Sequence, residues 1–489
     1  MQVLIWIILI TYGFFLLFIF VYSLVQLSLS ASYLRSKRQQ RITLKEPENW
    51  PLVTIQLPIY NERYVVERLI RAVAEIDYPK DKIEVQVLDD STDDTSDIIS
   101  KAILHYSQDG ISIKHIKREN RIGFKAGALK KATESAIGEF IAIFDADFIP
   151  EPNFLKKSIP LFTSHNIGMV QTKWEHLNPK YNLLTRLQAF GLDAHFTVEQ
   201  SGRNYSGHFI NFNGTAGIWR KTCIIDAGNW QSDTLTEDLD LSYRAQLKGW
   251  KFVFDRQNGT PAELPAAINA LKTQQYRWNK GAAECAVKNL NQVLQSGLPM
   301  STKIHSFFHL LNSFVFVCIL FTGIMSVPLL WIKQTHPQYN FIFKIGALLS
   351  ISFLFIGYFY WLATSDNIPN KKNALWKFLL SFPLFLSIYM GLSFHNSLAV
   401  LEGYFGYRTP FIRTPKFNIT ENTQSLRGNI YRATKMSRSL IPEILLFLYF
   451  IYAVYLGFAL NDYGLFLFHF MLIFGFGSIV FFSIRHSRA

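Results

Sequence analysis

Charge is scarce in this chain: Asp, Glu, Lys and Arg make up 17% of its 489 residues, against roughly 25% in ordinary soluble domains. A wholly soluble protein is therefore excluded, and 49% hydrophobic residues exclude intrinsic disorder. Cysteine is equally sparse. Cys223, Cys285 and Cys318 stand far apart, with no C-x-x-C pair and no His-rich tract nearby, so neither a disulfide framework nor a structural zinc site has support and buried reduced thiols are expected. No G-x-G-x-x-G follows the first strand pattern and no G-x-x-x-x-G-K-[ST] occurs, so a dinucleotide redox enzyme or a P-loop NTPase would lack its phosphate cradle.

What the chain does have is phenylalanine, 43 residues of it, and a formal net charge of +13 from 49 Lys+Arg against 36 Asp+Glu. Such an excess suits nucleic acid, a membrane surface or an anionic small substrate, so its placement decides. Residues 1–34 contain no charged side chain and are followed at once by Arg35, Lys37, Arg38 and Arg41. A bilayer crossing needs about 20 apolar residues, and a cleaved signal peptide carries its basic cluster before the apolar run rather than after it. Residues 1–34 therefore read as an uncleaved transmembrane anchor with its N-terminus outside.

The stretch 46–300 has ordinary globular composition and reads as a cytosolic domain. Uncharged runs return at 306–332, 345–365, 378–401, 444–461 and 463–484, the last followed by Arg485 and Arg488. Between them, 404–440 carries Arg408, Arg413, Lys416, Arg427, Arg432, Lys435 and Arg438 against the single Glu421, which places it on the cytosolic side. Five C-terminal crossings would put that basic loop outside. The economical assignment makes 378–401, which contains Pro383, His395 and Asn396, interfacial or re-entrant. The expected domains are thus an anchor at 1–34, a cytosolic domain at 46–300, two transmembrane helices in 301–365, an interfacial segment and basic loop at 376–440, and two transmembrane helices with a short cytosolic tail in 441–489. This is an integral protein of a plasma or inner membrane. A basic loop between membrane segments, with no recognisable reading module, argues against nucleic acid.

Within the cytosolic stretch, strand patterns at 53–58, 83–88, 111–116 and 140–144 alternate with helical patterns at 63–76 and 124–135. Alternation of this kind implies an α/β, Rossmann-like domain with a mostly parallel sheet, which binds ligands outside the carboxyl ends of its strands. Two acidic clusters sit at such ends, Asp89-Asp90 and Asp145-Ala146-Asp147. Asp145 and Asp147, one residue apart, suit one hard divalent cation that bridges a diphosphate; a D-x-D pair by itself is also a common solvated turn. Asp89 and Asp90 likewise suit helix capping.

Together, Leu57-Pro-Ile-Tyr-Asn-Glu62, Val87-Leu-Asp-Asp-Ser-Thr-Asp93, Lys125-Ala-Gly-Ala-Leu-Lys130, Phe144-Asp-Ala-Asp147, Thr236-Glu-Asp238 and Gln274-Gln-Tyr-Arg-Trp278 resemble the family-two inverting glycosyltransferases, in particular the membrane-embedded cellulose synthase-like and mannan synthase-like group. The resemblance implies a GT-A-like cytosolic domain between α-helical transmembrane segments. It implies Pro58, Tyr60, Glu62, Asp89 and Asp90 around the nucleoside, Lys125 toward the nucleotide or its phosphates, and Mg2+ or Mn2+ at Asp145 and Asp147. Asp238 corresponds to the general base, with Glu237 beside it raising its pKa; Asp240 is the nearby alternative, and an ordinary acidic helix start is the plain reading of 236–240.

Gln274, Arg277 and Trp278 share one face at helical spacing; Arg277 can meet the departing diphosphate and Trp278 can stack under the acceptor sugar, or the Arg-Trp pair is an amphipathic interface pair just before a membrane run. Phe411-Ile-Arg-Thr-Pro-Lys416 resembles the F-x-V-T-x-K gating loop of cellulose synthases, with Arg413 in place of Val; Thr414 and Lys416 then touch the diphosphate, or the segment is simply a basic membrane-surface loop. Phe212-Asn-Gly-Thr-Ala-Gly217 resembles the acceptor-side loop. The implied activity is processive, inverting hexosyl transfer from a UDP-glucose or GDP-mannose type donor to a polysaccharide, with accessory subunits left open. Alternatives are a glycolipid-forming transferase, or a transporter that senses a nucleotide sugar.

Overall fold

The computed structural model describes residues 1–38, 46–409, 411–419 and 439–488. Arg427, Arg432, Lys435, Arg438 and Glu421 of the basic segment lie outside the described residues.

Among the described residues seven strands form one sheet in the order β3-β2-β1-β4-β6-β5-β7. They are β1 (Val53–Ile59), β2 (Ile83–Asp89), β3 (Ser112–Lys117), β4 (Phe140–Ile143), β5 (Ile167–His176), β6 (Gly217–Arg220) and β7 (Lys251–Ala262). Pairings are parallel except those of β6, which runs antiparallel to both β4 and β5. The mostly parallel sheet read from the sequence is therefore mixed, because the short Gly217–Arg220 strand returns between two parallel segments. β1, β2 and β4 are buried almost throughout, as near-continuous apolar strands covered on both faces must be. One face packs on helices Val66–Ala74 and Phe154–Ser158, the other on Phe124–Ser135 and Glu237–Leu247. The chain leaves β1 toward β2 and β3 on one side and returns to β4 on the other, so the crevice at the carboxyl ends of β1 and β4 is a topological switch point. Segments 60–62, 89–90 and 145–147 all emerge there.

Among the described residues six helices are long and apolar enough to cross a membrane: Gln2–Ser36, Phe314–Thr335, Pro337–Asn367, Lys371–Gly391, Leu440–Ala459 and Phe466–Arg485. This is one more than the five crossings read from the sequence. The addition is Lys371–Gly391, which retains Pro383 inside it; proline removes one backbone hydrogen bond and here interrupts no more than that. The chain breaks at Leu392 and continues as the separate helix Ser393–Tyr404.

Contacts at the helix ends orient the bundle. The first helix packs Ile5 and Leu9 on Leu329, Ile332 and Tyr339. At its other end Tyr33 accepts a hydrogen bond from Arg256 of β7, and Arg256 pairs with Asp366, each at 2.9 Å. Lys333 pairs with Asp462 at 2.6 Å, joining the ends remote from the domain. Helix Lys371–Gly391 starts on the domain-proximal side, where Lys371 donates to the Ser365 carbonyl at 2.6 Å; its far end packs Met390 on Phe450, Leu472 and Phe476 of the bundle, and His395 of the next helix lies 2.9 Å from the Lys272 carbonyl.

Helix Ile268–Gln295 lies between the domain and this bundle. Its Lys272 ammonium, 4% exposed, sits 2.7 Å from the fully buried Glu443 carboxylate of helix Leu440–Ala459. On the domain side Gly281 faces Thr236: a Cβ at Gly281 would lie 2.5 Å from Thr236 Cγ2. The missing side chain lets this helix rest directly against the turn that starts helix Glu237–Leu247.

Candidate active site

At the switch point a cavity of about 200 Å³ is lined by Pro58, Tyr60, Glu62, Asp90, Lys125, Asp145 and Asp147, by Glu237 and Asp238, by Gln274, Arg277 and Trp278, and by Thr414 and Lys416. Stretches more than 300 residues apart in the chain thus meet around one space. Of the residues singled out from the sequence, Asp89 and the alternative Asp240 do not line it. For Asp89, the side chain turns back into the domain, where it receives Ser91 N–H at 2.9 Å and Ser96 Oγ–H at 2.5 Å and meets His115 Nε2 at 2.8 Å. Burial opposes its ionisation, yet these bonds hold it down at about 2. Asp89 shapes the loop after β2, and Asp90 reaches the cavity with Arg118 Nε donating to it at 2.8 Å.

Arg121 lies over the Tyr60 ring, 3.2 Å from its centroid, and Phe124 stacks on Phe411 with centroids 5.4 Å apart. Neither Arg118 nor Arg121 was singled out from the sequence. The only signal was the basic run Lys117-Arg118 and Arg121 just ahead of Lys125.

Asp145 and Asp147 point to different partners. Lys125 Nζ lies 2.6 Å from Asp145, 3.9 Å from Glu237 and 2.9 Å from the Gly214 carbonyl. Burial works against the Lys125 charge, but Asp145 and Glu237 outweigh it and raise its pKa. Asp147 is 4% exposed and is held by Lys416 at 2.6 Å. Beside it, burial pushes Glu62 up to about 8 although Arg413 stands 2.8 Å away. Glu263, missed in the sequence reading, is raised by burial; it accepts Phe417 N–H at 2.9 Å, and its second oxygen has no hydrogen-bond partner among the described residues.

No group of three or more His, Cys, Asp or Glu side chains able to hold a metal occurs among the described residues. A cage built from protein ligands alone is thereby excluded there, but a divalent ion bound by one or two carboxylates plus substrate phosphate oxygens needs none. Asp145, with 36% of its side chain exposed to the cavity, and Asp147 fit that demand.

Asp238 is presented by the first turn of helix Glu237–Leu247. Its Oδ1 accepts Leu239 N–H at 2.9 Å. Burial first, then the Glu237 carboxylate, pushes its pKa up to about 7, and Glu237 is raised by burial as well. Asp240 faces the other way: it is fully buried and paired with Arg244 at 2.8 Å and Lys288 at 3.0 Å. Opposite Asp238, Gly214 has φ +82°, and a Cβ there would lie 3.0 Å from Asp238 Oδ2, a conformation and a close approach that favour glycine.

Arg277 Nη2 donates to Thr414 Oγ1 at 2.8 Å and its guanidinium lies 4.9 Å from the Phe411 ring centroid. The segment 411–419 is thereby docked over the cavity by Arg277, Asp147 and Glu62. Trp278 and Trp174 stand 6.5 Å apart at 52° on the cavity wall.

An open α/β sheet whose strand ends carry these carboxylates, flanked by apolar helices at both chain ends, defines a GT-A-like domain attached to a helical bundle. A family model described as glycosyltransferase like family 2 matches residues 51–281. The chain is 35% identical over 398 residues to glucomannan 4-beta-mannosyltransferase 2 of Arabidopsis thaliana, covering 78% of this chain and 70% of the relative. It is 41% identical over 300 residues to probable glucomannan 4-beta-mannosyltransferase 4 of Oryza sativa subsp. japonica, covering 58% of this chain and 54% of the relative, so it spans about half of that protein's length. The chain belongs to glycosyltransferase family 2, in its cellulose synthase-like group. A solved structure, mannosyltransferase PcManGT from Pyrobaculum calidifontis in complex with GDP-Man and Mn2+, shares the fold at TM-score 0.52 and 17% identity, over 79% of this chain and 100% of that one.

Proposed function

We propose that the protein is a processive, inverting β-glycosyltransferase that moves a hexose from a nucleotide-diphosphate sugar onto a growing polysaccharide, with GDP-mannose as the principal donor. The observation that carries this reading is the shared cavity of Asp145, Asp238 and the Gln274, Arg277, Trp278 face. The donor choice rests on the named activity of relatives 35–41% identical.

Asp238, buried and raised to about 7, is matched to take the proton from an acceptor hydroxyl at neutral pH. As that oxygen attacks the anomeric carbon, the bond to the diphosphate breaks on the opposite face and configuration inverts. Arg277 and Lys125 supply positive charge for the leaving diphosphate. Asp145 and Asp147 would hold Mg2+ or Mn2+, which when bound neutralises the diphosphate charge. The segment 411–419 acts as a lid: Lys416 and Arg413, now on Asp147 and Glu62, exchange those carboxylates for phosphate oxygens when donor arrives.

The membrane reading uses the same contacts. Helix Gln2–Ser36 enters toward the domain, and Phe314–Thr335 with Pro337–Asn367 and Leu440–Ala459 with Phe466–Arg485 form two out-and-back pairs. Lys371–Gly391 begins on the domain side, dips into the bundle at Met390, and the chain is back at the domain side by His395, so this segment is re-entrant and does not cross. This order keeps 46–300 and 411–419 in one compartment, as a lid requires.

Purified protein in detergent, incubated with a panel of labelled nucleotide sugars and Mg2+ or Mn2+, tests the proposal. A long β-linked polymer from GDP-mannose, lost with EDTA, is expected. A single-sugar lipid product, or donor binding without turnover, would overturn it in favour of a glycolipid transferase or a sensor.

A further inference from the structure

Helix Ser393–Tyr404 ends just before the segment 411–419 begins, and its termination is sharp. Tyr407 N–H returns to the Glu402 carbonyl at 3.0 Å and Gly406 N–H to the Gly403 carbonyl at 3.3 Å, with Gly406 at φ +72°. Two such bonds around a left-handed glycine make a Schellman ending, which turns the chain away from the helix axis. The turn carries 407–409 onto helix Ile268–Gln295. Gly403 permits the contact: a Cβ there would lie 2.7 Å from the Lys280 carbonyl and 2.8 Å from Ala283 Cβ.

Lys280 closes this contact with a fully buried side chain. An ammonium has three protons to place and accepts none. Lys280 Nζ donates to the Tyr407 carbonyl and to Thr409 Oγ1 at 2.8 Å, and lies 3.7 Å from Glu402 Oε2. Every one of these partners belongs to the end of helix Ser393–Tyr404 or to the three residues beyond its turn. Glu402 in turn accepts from the Tyr276 hydroxyl, one helical turn before Lys280. Lifting 407–409 away would strand a buried ammonium, which is strongly unfavourable, so this root stays in place while 411–419 changes partners. Arg277, three residues before Lys280 and on the same face, meets Thr414 at 2.8 Å. Gly281, the next residue, faces Thr236 beside Asp238. One helix thus sets the root of the lid and the turn that bears Asp238 in a common frame.

Resting on the glycosyltransferase reading and its lid, we propose that Lys280 is a positioning residue for the donor: it clamps 407–409 as the fixed end of the lid, so that Thr414 and Lys416 come down in register on the donor's diphosphate. Lys280 is not among the residues that line the cavity, so it acts through the lid. The group whose binding it governs is the diphosphate, not the base.

The test compares two ligands on the full-length protein in detergent: GDP, and guanosine, which offers the lid no phosphate. Lys280→Met keeps an apolar stem in the space, and Glu402, 25% exposed, retains the Tyr276 hydroxyl, so the variant leaves no buried unpaired charge. Its GDP affinity, measured by calorimetry, should fall about tenfold, while guanosine affinity, measured by displacement titration, stays within about twofold. Thr409→Val, which removes one clamp partner at nearly constant volume, should lose about threefold for GDP. In a Lys416→Gln background, where the lid has lost its charged diphosphate contact, Lys280→Met should cost much less than in the unmodified protein. Equal losses for GDP and guanosine, GDP affinity unchanged in both Lys280→Met and Thr409→Val, or the full loss from Lys280→Met in both backgrounds would overturn the assignment. GDP affinity unmoved by Lys416→Gln would overturn the lid and the anchor together. Absence of transfer from any nucleotide sugar by the unmodified protein would instead count against the glycosyltransferase reading itself.

Discussion

Asp238 is where local environment most directly sets chemistry. An exposed aspartate is ionised far below neutrality, whereas burial and Glu237 bring this one to about 7. A base works only when deprotonated, so kcat/KM should fall as pH drops below about 7 and level off above it. A pH–rate profile checks this, and a limb near 4 would show that the group is not desolvated in use. Most residues on the cavity were legible because each stands in a short motif with a distinctive neighbour: Asp145-Ala-Asp147, Thr236-Glu-Asp238, Gln274 to Trp278. Their partners were not. Nothing in the neighbourhood of Lys416 announces Asp147, and nothing near His115 announces Asp89, because those pairings cross between strands or join segments 269 residues apart. Asp89 and Asp90 were indistinguishable as adjacent carboxylates; the sheet turns one inward and the other to the cavity.

Among the elements, helix Ile268–Gln295 couples the bundle to the site. Its Gly281 lies against Thr236, next to the turn that bears Asp238, the proposed base. Gly281→Ala should push that turn aside, lowering kcat by roughly tenfold or more while GDP affinity holds, since a 1 Å misplacement of a catalytic group costs up to about 10²-fold. Steady-state kinetics with calorimetry separates the two. Its Lys272 shares a buried ion pair with Glu443. Glu443→Ala leaves an unpaired buried ammonium and should destabilise the protein by about 3–5 kcal/mol, read as a lowered denaturation midpoint in detergent. Strands β1, β2 and β4 and helix Phe124–Ser135 were recognisable within a residue or so from apolar runs and periodicity. The antiparallel β6 was not: Gly-Ile-Trp-Arg is too short for an alternation to register, and its place in the sheet is decided by β4 and β5.

For the whole molecule, composition and charge placement marked out a globular domain between apolar runs, and among the described residues six helices of sufficient length and apolarity flank it. The run containing Pro383 was harder to assign, because hydropathy reports that a segment tolerates lipid and not whether it crosses. In sealed inverted vesicles, protease added outside should cleave the 404–440 loop; cleavage only in right-side-out vesicles would reverse the proposed topology and detach the lid from the cavity.

The central claim, that Asp238 is the base in a cavity whose donor site is built by other residues, is tested most directly with Asp238→Asn. Transfer from GDP-mannose should fall by about 10²–10⁴-fold while GDP affinity, measured on the same preparation, is retained. Turnover within a fewfold of the unmodified protein would contradict the account.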